Sequence, residues 1–95
     1  LWRNNRGILK FMKAWAKVMQ KDKIFKDIVY DGVAKINYEN IFKMLKFTCE
    51  KLDLSCPVLL DSQIKHMKQF RRFAFLPDDF MEPVDFTKFE IEIYK

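Results

Sequence analysis

Glycine and proline are scarce in this chain, two and three among 95 residues. That excludes a flexible linker, a collagen-like tract or a low-complexity segment. With Gly7 and Gly32 as the whole complement, there is no glycine-rich phosphate loop either. Two cysteines, Cys49 and Cys56, are too few for a disulfide scaffold. No apolar run approaches the roughly 20 residues that span a bilayer. Lys10, Lys13 and Lys17 interrupt any secretory apolar core, which leaves a cytoplasmic location as the expectation. A single histidine, His66, comes with no Ser/His/Asp or Cys/His signature, so the chain is not expected to be an enzyme.

Apolar residues are plentiful. They make up 49% of the chain, with ten Phe, two Trp and three Tyr. This length suits one domain and can fill one core, so disorder is not expected despite 33% charged residues.

The segment FMKAWAKVM, residues 11–19, carries two periodicities. Lys13 and Lys17 stand four apart as on a helix, yet residues 11, 13, 15, 17 and 19 also alternate with the apolar 12, 14, 16 and 18. The following run, Lys23 to Tyr30, is rich in β-branched and aromatic residues and is reached through the polar Gln20-Lys21-Asp22. Two such runs around a short polar turn predict a β-hairpin over 10–31, with a helix over 10–19 as the alternative. An amphipathic helix runs from about Tyr38 to Leu52. Tyr38, Ile41, Leu45, Cys49 and Leu52 form its apolar stripe, Phe42 widens it, and Asn37 is the N-cap. Asp61 or Ser62 can cap a short second helix with Ile64, Met67 and Phe70 on one face. Residues 71–76 read as extended and Pro77-Asp-Asp79 as a turn. Phe89, Ile91 and Ile93 alternate with Glu90, Glu92 and Tyr94, which marks a half-buried strand. The expected fold is α+β: a small antiparallel sheet, made of the N-terminal hairpin and the C-terminal strand, packed against one main amphipathic helix and a short second helix.

Charge is divided along the chain. Residues 1–26 carry +7, and residues 76–95 carry −4. Such asymmetry can mark a polyanion-binding end, or two segments of one sheet that neutralise each other, with Glu90 and Glu92 beside Lys13 and Lys17.

Three phrases have a family flavour: AKVMQKDKIFKDIVYD (16–31), CEKLDLSCP (49–57) and FLPDDFMEPVDFTKFEIEI (75–93). They resemble small uncharacterised proteins of anaerobic Firmicutes, over residues 10–94. The resemblance implies a bacterial source and no particular activity, ligand or cofactor. It also implies that residues 1–9 are an N-terminal extension and that 10–95 form the single domain.

Each chemical motif meets a plainer explanation. Cys49, Cys56 and His66 are spaced by seven and ten, without the close ligand pairs of structural zinc. Cys49 falls on the helix's apolar stripe, where a thiol behaves as a small hydrophobe. Asp78, Asp79, Glu82 and Asp85 lack the spacing of a calcium loop. Ser62-Gln-Ile-Lys65 matches S-x-x-K without its companion motifs. No cofactor or metal is therefore expected.

The basic hairpin is the remaining candidate. Lys13, Trp15 and Lys17 on one strand, with Lys26 on the next and Arg71 and Arg72 beyond, could hold phosphates while Trp15 stacks on a base. The competing view makes Trp15 a core residue with lysines solvating its rim. If residues 1–20 were helical, Trp2, Ile8, Phe11 and Trp15 with their basic neighbours could lie on an anionic membrane. The favoured expectation is a non-catalytic protein-interaction or accessory domain, binding itself or another protein. A nucleic-acid-binding protein is the alternative, and no membrane partner is expected.

Overall fold

The computed structural model describes residues 11–95. The expectations for residues 1–9 lie outside the described residues. Four strands and two helices follow in the order β1 (Met12–Gln20), β2 (Lys23–Val33), α1 (Tyr38–Lys51), α2 (Asp61–Phe70), β3 (Arg72–Phe75) and β4 (Lys88–Tyr94). A single turn of 3-10 helix, Pro77–Asp79, precedes the loop into β4. All pairings are antiparallel, and the sheet order is β2-β1-β4-β3.

The alternation in residues 11–19 is that of a strand, so the helical and membrane-surface alternatives for this segment fall away. Ala14, Ala16 and Val18 point to the core and are essentially buried. Lys21 closes the hairpin with a left-handed φ of 59°, and its N–H donates to the Thr87 hydroxyl at 2.8 Å. Two irregularities shape β2. Its register against β1 skips Phe25 and Gly32, and Gly32 takes the φ of 114° that a bulge asks of glycine.

Both helices cover the same side of the sheet. Ile41, Met44, Leu45 and Cys49 from α1 join Ile64 and Met67 from α2, together with Phe75, Phe89, Ile91 and Ile93, in one core. Tyr30 of β2 meets Phe47 of α1 at 5.2 Å between ring centroids, and His66 of α2 meets Phe73 of β3 at 5.4 Å. The helices therefore divide the sheet, α1 beneath β2 and α2 beneath β3.

Several local expectations need correction. Residues 72–75 are not merely extended but form the edge strand β3, paired through Phe73 and Phe75 with Ile91 and Phe89. Helix α2 is capped neither by Asp61 nor by Ser62. Leu60 occupies the N-cap position, and the Gln63 side chain turns back to accept its N–H at 2.8 Å. Tyr38 and Phe42 leave the apolar stripe of α1 and stack on each other in solvent, and Phe70 likewise stays exposed. Asn37 caps α1 as its chemistry suggests, accepting the Asn40 N–H at 2.8 Å.

Candidate interaction face of the sheet

The helices leave the other side of the sheet uncovered by any described element. Antiparallel pairing places Lys17 between Asp27 of β2 and Glu90 of β4, and Trp15 between Val29 and Glu92. Strand β3 adds Arg72 opposite Glu92 and Ala74 opposite Glu90. Residues from three strands are thus gathered around Lys17 by the two-residue strand period alone.

Lys17 is only 6% exposed, although no described helix packs over this face. Its Nζ lies 3.1 Å from a carboxylate oxygen of Glu90 and 3.1 Å from one of Glu92. The same ammonium sits 4.1 Å from the centroid of the Trp15 ring. Arg72 approaches the second Glu90 oxygen at 3.7 Å. Burial acts to raise the Glu90 pKa, but the hydrogen bond and charge of Lys17, helped by Lys88 and Arg72, outweigh it. The carboxyl is held below its ordinary range.

Trp15 is half-buried on this outer face, so it is neither the core residue nor the bare stacking platform that the sequence suggests. Its indole N–H donates to Asp27 at 2.6 Å, which fixes the ring across the β1–β2 pair.

Of the six basic and aromatic residues named for a polyanion site, four share one face of the sheet. Lys13, Trp15, Lys17 and Arg72 share the outer face, with Lys13 opposite Asp31 and Tyr94. Lys26 pairs with the core-facing Val18 and projects from the opposite side of the sheet. Arg71 ends α2 in a left-handed conformation, φ 60°, and its guanidinium reaches the Met12 sulfur at 3.2 Å. Of the four on the outer face, Lys17 and Arg72 already have Glu90 and Glu92 as counter-charges.

A feature the sequence hid lies at the hairpin's closed end. Phe25, the residue skipped in register, is 71% exposed, with Ile24 beside it also open to solvent. Phe25 and Gln20 share a shallow cleft of about 230 Å³ with Asp85 and Phe86. Strict alternation cannot reveal such a residue, because a bulge breaks the alternation on which burial is read.

The metal reading stays unsupported: among the described residues no three His, Cys, Asp or Glu side chains could hold an ion together. Nor is any described helix long and apolar enough to cross a membrane. No family model, curated protein or solved structure matches the chain. The resemblance to Firmicute proteins thus rests on its three phrases alone.

Proposed function

We propose that this chain is a non-catalytic protein-interaction module of the cytoplasm, which engages a protein partner through the closed end of its hairpin. The supporting observation is Phe25. A bulge turns a large aromatic outward beside Ile24, next to a cleft, and leaves it 71% exposed. Aromatic anchors of this kind supply much of the binding energy at protein interfaces. The nucleic-acid alternative loses its main support, because Lys17 is neutralised by two glutamates and Lys26 faces away.

The test is photo-crosslinking in cells, with a photoreactive phenylalanine in place of Phe25 and, as control, in place of the exposed Lys43 on α1. A discrete protein adduct is expected at position 25 and not at 43. Unlabelled wild-type chain should compete it away, and the F25S chain should not. Equal competition by F25S overturns the proposal. So does a gel shift with single- or double-stranded nucleic acid that falls steeply with salt, the mark of counterion release.

A further inference from the structure

The two cysteines are seven residues apart in sequence, yet the end of α1 brings them together. Cys49 lies on the buried side of the helix. The helix closes with Asp53 in the left-handed region at φ 60°. There the Leu54 N–H donates to the Cys49 carbonyl at 2.8 Å, and the Asp53 N–H to that of Glu50 at 3.2 Å. This paired closure folds the next residues back along the helix. The Cys56 thiol consequently donates to the Leu45 carbonyl at 3.8 Å, one turn before Cys49. Both cysteines line a single cleft of about 420 Å³ together with Lys46, Phe47, Glu50 and Leu54. Burial, and then the adjoining Cys56 thiol, push the proton affinity of Cys49 up. Cys56 is open to solvent.

We propose that Cys49 and Cys56 form a reversible intramolecular disulfide by exchange with a small disulfide such as oxidised glutathione. The exposed Cys56 loses its proton, and its thiolate attacks one sulfur of the small disulfide. That S–S bond breaks, and one small thiolate departs and takes up a proton. Cys49, deprotonated in its turn, then attacks the Cys56 sulfur of the mixed disulfide and expels the second small thiol. Two protein thiols are oxidised by two electrons, and one small disulfide is reduced to two thiols. Burial shields Cys49 from direct attack by solutes and leaves its neighbour as the sulfur within reach. The bond pins the Cys56-Pro57 segment to α1. Pro57 pairs with Phe80, and the Val58 N–H donates to Asp79 at 2.9 Å, so the bond also ties the 77–80 turn to the helix.

The experiment incubates the folded chain with oxidised glutathione, quenches it in acid, alkylates free thiols and measures intact mass. The expected product is a monomer lighter than the thiol form by two hydrogens, restored by a small dithiol. The C49A chain should stop at a glutathione adduct on Cys56. The C56S chain, altered at an exposed position and checked for its fold by circular dichroism, should stay unmodified. A lasting glutathione adduct on the unsubstituted chain, a disulfide-linked dimer, or two thiols that both remain open to alkylation would each overturn the proposal.

Discussion

The two faces of this sheet solve opposite problems with the same strands. On one, Ala14, Ala16, Val18, Phe89, Ile91 and Ile93 meet two helices and lose nearly all contact with water. On the other, Lys17, Glu90, Glu92 and Arg72 meet one another, with Trp15 laid over the ammonium. The first face supplies the stability of the domain, because burial of apolar area is the dominant favourable term in folding. The second joins β1, β4 and β3 through opposite charges, which favour this register. A charged cluster adds little net stability over an apolar one of equal volume, but breaking it is costly. One cation of the basic end, Lys17, thus meets two carboxylates of the acidic end within the sheet.

Substitutions can break this comparison in graded steps. The largest effect belongs to the helix side. Phe89→Ala should cost about 3–5 kcal/mol and Leu45→Ala about 2–5 kcal/mol in urea unfolding, the usual range for buried side chains of these sizes. A loss below about 0.5 kcal/mol in either would contradict the assignment of the faces.

On the charged side, Lys17→Met removes the cation that Glu90 and Glu92 share, leaving Arg72 at 3.7 Å from Glu90, and should cost about 2–3 kcal/mol. Replacing Glu90 and Glu92 with Leu in the same chain should restore most of that loss. If the triple variant is less stable than Lys17→Met alone, the cluster does more than balance its own charge.

Acid should act on the same cluster. Glu90 titrates below its ordinary range in the folded chain, so its stabilising share is fully present above the unfolded glutamate value of about 4.3. That share is lost as pH falls through the lower folded value. Thermal unfolding followed downward from pH 5 should show this loss, and Lys17→Met should flatten it. Equal slopes in both chains would assign the acid sensitivity elsewhere.

The smallest change is a gain. Asp53 holds a left-handed φ of 60° that glycine adopts without strain. Asp53→Gly should therefore stabilise the chain by roughly 1 kcal/mol.

Much of this arrangement is legible in residue order. The alternation in 11–19 and 88–94, the polar turn at Lys21-Asp22 and the helical spacing of Ile41, Leu45 and Cys49 each specify an element locally. The opposite charges of Lys17 and Glu90 also anticipate the pairing of β1 with β4. What escapes depends on tertiary placement. Lys17 reads as a solvated strand lysine, yet it is buried, with Glu90, Glu92 and Trp15 gathered on its ammonium. Residues 72–75 become a strand because β4 offers them a free edge. Lys26 leaves the expected basic surface, and Phe25 enters solvent, because a bulge resets the register between them and the turn. Cys56 reaches α1 through the left-handed turn at Asp53, a conformation that an aspartate does not announce.

The central claim is that the charge of Lys17 is consumed within the sheet, and a double-mutant cycle on Lys17 and Glu90 tests it most directly. Lys17→Met, Glu90→Gln and the pair together would be unfolded in urea at low and at high salt. The expected coupling is about 1–3 kcal/mol, within the range for residues in direct contact. It should largely persist in salt, because the side chains are only 8% and 15% exposed. Additivity within about 0.3 kcal/mol at low salt would contradict the account and return Lys17 to the pool of charges open to a polyanion.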